Sequence, residues 1–258
     1  MEARYQRFVA IGDSSTEGLQ DPDGAGGYRG WANRLAERIA REQGSLLYAN
    51  LAIRGRRTRR IRDEQLAPAL ALQPDLVTLF SGTNDVVARR FDVAQLAADI
   101  ASMHRAIRAS GATLLTFTLP DLSPVMPLGR LVAPRVRTLN ETLRAVAAES
   151  GALLVDFAVH PVASDPRLWN ADRLHANAAG HARIAAALAC ALELPGADRS
   201  WSAPLPVREG PSPLQRLAAE AAWIKEFFLP WAWRHLRGRS SGDGVRPKRP
   251  QLLPVELA

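Results

Sequence analysis

Phe8-Val9-Ala10-Ile11-Gly12-Asp13-Ser14-Ser15-Thr16-Glu17-Gly18 is a short apolar run that ends abruptly in a small, polar, glycine-flanked turn. Four consecutive apolar residues, two of them β-branched, predict a strand buried on both faces, as in a parallel sheet covered by helices. Gly12 permits an unusual backbone conformation, and Asp13, Ser14 and Ser15 favour turns and helix caps. A serine hydroxyl is thereby held at the carboxyl end of a central strand. Open α/β sheets place their ligands there. Gly-Asp-Ser is also an ordinary strand-to-helix turn, so its meaning depends on what the other strand ends supply.

Outward from this stretch, strand and helix alternate. The glycine-rich loop Gly24 to Gly30 leads into Trp31 to Arg41, where Trp31, Leu35 and Ile39 recur at helical spacing. Leu46 to Leu51 reads as a second strand, Asp75 to Phe80 as a third, Thr113 to Thr118 as a fourth and Ala152 to Phe157 as a fifth. Between them come helical stretches at Ile61 to Leu72, disturbed at Pro68, at Val93 to Ala109, stopped by Gly111, and at Pro134 to Ser150. Asn177 caps a last helix through Leu192, and Leu194-Pro195-Gly196 ends the pattern. Five strands joined by helices imply right-handed crossovers and a mainly parallel, three-layer α/β/α sheet. The order of the strands does not follow from this pattern. Residues 1–195 read as one domain and 196–258 as an extension.

Composition bounds the rest. With 258 residues and 47% hydrophobic content, the chain can bury one sizeable core. It has no run of eighteen apolar residues and enters its first strand too early for a signal peptide, so a cytoplasmic location is expected. The single Cys190 cannot form an internal disulfide and reads as core packing in a reducing compartment. The net charge of +7 is concentrated in Arg54, Arg56, Arg57, Arg59, Arg60 and Arg62 and in a second region from Arg234 to Arg249. That is not the broad basic face of a nucleic-acid binder.

The strand ends supply the chemistry. Beyond strand two comes Asn50-Leu-Ala-Ile-Arg54-Gly55, beyond strand three Ser81-Gly-Thr-Asn84-Asp85, and beyond strand five Asp172-Arg-Leu-His175. Parallel strands bring these segments to one edge, where Ser14, Gly55, Asn84 and His175 can converge. A serine hydroxyl needs a neutral imidazole to take its proton, and a carboxylate three residues before the histidine can hold the other ring nitrogen. His104, His160, His181 and His235 read as packing or surface. Acyl transfer also needs donors for a developing oxyanion, which a close-approaching glycine backbone and an asparagine amide can provide.

These four segments, over about residues 5 to 195, resemble the conserved blocks of the SGNH hydrolases, the GDSL-type esterases and lipases, in the family's order. The nucleophile block departs from it in reading Gly-Asp-Ser-Ser rather than Gly-Asp-Ser-Leu. The resemblance implies a flavodoxin-like fold with strand order 2-1-3-4-5. It implies Ser14 as nucleophile, His175 as base, Asp172 as its orienting acid, and an oxyanion hole from the N–H groups of Ser14 and Gly55 and the Asn84 amide. No metal or other cofactor is expected, and the implied reaction is cleavage of a small acyl ester through an acyl-enzyme on Ser14.

Acyl transfer to a sugar or other alcohol, and thioester cleavage, stay open. From another class, the Arg54 to Arg62 cluster could serve an anion- or nucleic-acid-binding module. Alternatively those arginines pair with Asp63 and Glu64 on a solvated helix face, or draw anionic esters to the site mouth. Three patterns carry less. Gly238-Arg-Ser-Ser-Gly242 has an elbow's spacing but follows a helix, not a strand. Gly24 to Gly30 lacks the spacing of a dinucleotide loop and reads as a rim of the site, and His175, His181 and Asp172 match no zinc pattern.

In the extension, Leu214, Leu217, Ala221, Ile224, Phe228 and Trp231 recur every three or four positions, predicting an amphipathic helix over residues 213 to 237, disturbed at Pro230. This stripe is expected to pack on its own domain. A second reading lays Trp223, Phe227, Trp231 and Trp233, with the basic tail, in a membrane interface.

Overall fold

In a computed structural model, which describes residues 4–126, 129–207, 210, 212–237 and 240–257, the opening strand is β1 (Arg7–Gly12), lying between its two parallel neighbours β2 (Leu47–Asn50) and β3 (Leu76–Phe80). Next to β3 come β4 (Thr113–Phe117) and, after α7 (Gly129–Ser150), β5 (Leu153–Val155), both parallel to it. Period-two alternation along β1 divides the core. Phe8 and Ala10 join a cluster with Trp31, Leu35 and Ile39 of α2 (Gly30–Gln43) and Leu188 of α8 (Ala178–Ala191). Val9 and Ile11 face Met103 and Ile107 of α6 (Val93–Ala109) and Ile61, which ends α3 (Thr58–Ile61). The fold is therefore a three-layer α/β/α sheet whose parallel strands run in the order 2-1-3-4-5.

Two expectations need correction. Among the described residues the sheet has six strands, not five, with order β5-β4-β3-β1-β2-β6. The sixth, β6 (Arg249–Pro254), is antiparallel to β2 and comes from the basic tail expected to lie outside the sheet. Pro250 and Pro254 disfavour a central strand, but an edge strand tolerates residues that donate no ladder bond. Arg249 Nε secures it with a 2.8 Å bond to the Tyr48 carbonyl.

The second correction concerns the amphipathic stripe. Residues 213–236 are helical, as α9 (Pro213–Trp223), a π turn (Ile224–Phe228) and α10 (Leu229–Leu236). The disturbance falls ahead of Pro230, because the wide turn lets Leu229 N–H bond the Ile224 carbonyl before a residue with no N–H. The same device precedes Pro68, where a π turn (Arg62–Leu66) enters α4 (Ala67–Ala71). The stripe is covered only toward its C-terminal end: Leu214 is 76% and Leu217 68% exposed and Ile224 is exposed as well, whereas Phe228 and Trp231 are half-buried. The helix instead docks by another edge, burying Trp223.

Candidate active site

Gly12 ends β1 where a Cβ would stand 2.6 Å from the Phe80 carbonyl oxygen and overlap the Thr16 side chain, so the strand can turn here without a side chain. Gln65 locks the turn from the side, its Oε1 accepting from Gly12 N–H at 2.8 Å and its Nε2 donating to the Gly12 carbonyl at 2.9 Å. Asp13 then caps α1 (Ser14–Glu17), accepting from Ser15 N–H at 3.0 Å. Ser14 thus opens a helical turn in which its own N–H has no intrahelical acceptor.

The Ser14 Oγ lies 2.9 Å from His175 Nε2, and His175 Nδ1 lies 2.8 Å from Asp172 Oδ2. Asp172 Oδ1 also accepts from the backbone N–H groups of Leu174 and His175, at 3.0 Å each. Burial pushes the Asp172 carboxyl upward, but the bond and charge of His175 and these N–H groups outweigh it and hold the group below the usual carboxylate range. A charged carboxylate on Nδ1 leaves Nε2 directed at the hydroxyl, the arrangement general-base activation requires.

Asn84 begins one residue into α5 (Thr83–Val86) and lines the same pocket as Ser14 and His175. Its Nδ2 donates to the Arg56 carbonyl at 3.0 Å and to Asp13 Oδ2 at 3.3 Å. Gly55, at φ 72°, is linked to this group through Arg56, its chain neighbour, and does not line the pocket wall. The structure therefore joins Ser14, His175 and Asp172 in one hydrogen-bonded chain, sets Asn84 beside it, and brings Gly55 only to the next loop.

Beyond Ser14 the pocket is apolar. Phe80 and Phe117 stack at 4.1 Å, Phe157 meets Phe117 edge-on at 5.4 Å, and Trp201 closes on Phe157 at 5.5 Å. Three polar partners had no signal in the local sequence. Gln20 Nε2 donates to Asp172 Oδ2 at 3.2 Å and is itself held by Asn170, Trp223 Nε1 donates to the Asp172 carbonyl at 3.0 Å, and Gln65 reaches Gly12 from 53 residues away.

His181 bonds Trp31 N–H and the Leu19 carbonyl, and burial pulls its pKa down to about 4, so it is a neutral packing group. His104 is buried as well, its Nδ1 on the Ser150 hydroxyl. In the arginine cluster, Arg62 pairs with Asp63 and Asp99, Arg60 with Glu64, Arg56 with Glu64, and Arg54 with Glu17. Much of its charge is thus matched within the chain. Lys248 donates to the Tyr28 and Arg29 carbonyls at the end of the glycine-rich loop.

Asp13 gives a pH prediction. Its complete burial pushes the carboxyl up to about 6, against bonding from Ser15 N–H and the charge of His175. The folded state holds this proton more tightly than the unfolded chain. Its contribution is therefore full below about pH 4 and lost as pH rises through about 6. Relative to Asp13→Asn, which carries no charge, the wild type is expected to lose up to about 3 kcal/mol across that window. Unfolding midpoints of both proteins from pH 4 to 8 check it; a difference that stays constant with pH contradicts it.

A hydroxyl, imidazole and carboxylate in line at the carboxyl edge of a parallel sheet define the serine-hydrolase class of site. A model of the GDSL-like lipase/acylhydrolase family matches residues 10–183. The GDSL lipase Rv0518 of Mycobacterium tuberculosis is 30% identical over 195 residues, covering 72% of this chain and 80% of that protein. The chain belongs to the GDSL-like lipase/acylhydrolase family, a family of ester-hydrolysing enzymes. Among solved structures, TesA is similar at 26% identity and TM-score 0.62, covering 73% of this chain and 98% of its own. A catalytic mutant of Axe2, an acetylxylan esterase from Geobacillus stearothermophilus, shares the fold at 20% identity and TM-score 0.60, covering 75% of this chain and 97% of its own. No helix among the described residues is long and apolar enough to cross a membrane.

Proposed function

We propose that this enzyme cleaves carboxylic esters through a covalent acyl-enzyme on Ser14, with an apolar acyl group seated among Phe80, Phe117, Phe157 and Trp201. The observation that carries this reading is the bonded chain Asp172–His175–Ser14 opening onto that aromatic pocket. His175 Nε2 takes the hydroxyl proton as Ser14 Oγ bonds the ester carbonyl carbon, and Asp172 stabilises the imidazolium. The N–H groups of Ser14 and Gly55 and the Asn84 amide receive the oxyanion. The imidazolium then protonates the leaving alcohol as its C–O bond breaks. Water, deprotonated by His175, releases the acid and restores the hydroxyl. An alcohol in place of that water makes the enzyme an acyltransferase, and a thiol leaving group makes it a thioesterase.

The exposed face of the C-terminal helix supports a second, compatible element. Leu214, Leu217, Ile224, Leu229 and Trp233 are all exposed, Lys225 lies on the same helical stretch, and Arg237 directly follows it. We assign this face to an anionic lipid surface, with Trp223, now buried, removed from the set expected to face lipid. One experiment tests both elements: hydrolysis of p-nitrophenyl esters of increasing acyl length, with and without anionic phospholipid vesicles. Each methylene that enters the pocket is expected to raise kcat/KM about fourfold until the pocket is full. The enzyme is expected to sediment with the vesicles at low salt. A profile flat from acetate upward removes the acyl assignment, and absence of sedimentation removes the lipid one.

A further inference from the structure

Residues beyond 195 lie outside the family match over residues 10–183, yet two stations of that segment touch the proposed machinery. At the first, the buried Trp223 donates its indole N–H to the Asp172 carbonyl. The Arg173 guanidinium lies 5.2 Å from the centre of the Trp223 ring, and Arg173 Nη1 meets both carboxylate oxygens of Glu220 at 2.7 and 2.8 Å. Arg173 stands between Asp172 and His175 at φ 58°, a left-handed conformation that a β-carbon disfavours and that surrounding contacts must maintain.

At the second station, Ser240 to Asp243 rest on the loop that carries Gly55. A Cβ on Gly55 would overlap the Ser240 hydroxyl, and a Cβ on the buried Gly242 would overlap the Arg54 carbonyl oxygen, so backbone meets backbone there. Asp243 Oδ1 is 3.9 Å from the Arg56 guanidinium, whose residue's carbonyl takes the Asn84 amide. These serines belong to Gly238-Arg-Ser-Ser-Gly242, whose Gly238 and Arg239 lie outside the described residues.

We propose that the C-terminal segment is a positioning element for both halves of the site: Trp223 and Glu220 fix the Asp172–His175 turn, and the Ser240–Gly242 backbone fixes the Arg54–Gly55 loop. None of these residues touches the reacting atoms. They act by holding the base and the oxyanion donors in register, so loss of either station lowers the chemical step and leaves ester binding intact. The proposal rests on the acyl-enzyme reading above.

The test uses full-length Trp223→Phe, which keeps a ring and loses the N–H, and Gly242→Ala, which forces a methyl against the Arg54 carbonyl. Each is compared with wild type on a soluble short-chain ester without lipid. Rates are normalised to the fraction of Ser14 titrated by a fluorophosphonate, so that unfolded protein is not counted. The expected result is a fall of about tenfold in kcat per titrated site, with KM within about twofold of wild type, in each variant. Wild-type kcat per titrated site in Trp223→Phe overturns the first station, and in Gly242→Ala the second. A parallel rise in KM with unchanged kcat overturns the positioning role altogether. Failure of the underlying reading looks different: the wild type itself then takes up no fluorophosphonate on Ser14.

Discussion

Replacing Ser14 by alanine is expected to abolish ester turnover, with a loss on the order of 10⁶-fold in kcat, because in the proposed mechanism Ser14 and His175 act as one unit and the covalent path disappears with either. The change should leave the fold alone. The Ser14 hydroxyl bonds His175, whereas the helical turn it opens is capped by the neighbouring Asp13, which keeps its bond to Ser15 N–H. An ester assay beside a thermal melt checks the pair of expectations. Normal turnover in a folded Ser14→Ala protein would falsify the mechanism, whatever the pocket binds.

Asn84→Ala is expected to cost 10²- to 10³-fold in kcat with little change in KM, the signature of a donor that matters once charge has moved onto the carbonyl oxygen. At rest the Asn84 Nδ2 group is held by the Arg56 carbonyl at 3.0 Å and by Asp13 at the longer 3.3 Å. The amide carries two hydrogens, so an arriving oxyanion can take the one now directed at Asp13 without releasing the amide from Arg56. Steady-state kinetics on a fast-leaving ester measure the split. If KM alone rises, Asn84 binds ground-state ester and the oxyanion assignment fails.

The succession of strands and helices along the chain, though not their order in the sheet, is legible in short patterns because each pattern is local. Phe8 to Ile11 followed by Gly12 and Asp13 specifies a strand that must stop, and Asn177 specifies where α8 starts by accepting from Gly180 N–H at 3.0 Å. Asp172 and His175, three residues apart, meet through a turn that needs nothing distant to be imagined. What escaped was set by partners far away in sequence. The periodicity of Leu214, Leu217 and Ile224 pointed to a buried stripe, but the helix docks where an indole N–H finds a carbonyl 51 residues earlier and Glu220 finds Arg173, 47 residues earlier. No window of the sequence contains both members of either pair. β6 escaped for a related reason: its two prolines argue against a strand until one knows that it lies at an edge.

That edge carries a consequence for the order of synthesis. β2 pairs with β6 across some 200 residues, Leu47 opposite Pro254 and Tyr48 opposite Leu253. A chain emerging from the ribosome makes β2 early and leaves one side of it without its strand neighbour until residues 249–254 have followed, a contact of high sequence separation that forms slowly. Through that interval β2 offers unpaired N–H and C=O groups to any other nascent copy. When β6 arrives, Pro250 and Pro254 present the next chain with an edge missing donors, so the strand that covers β2 also closes that edge to further addition.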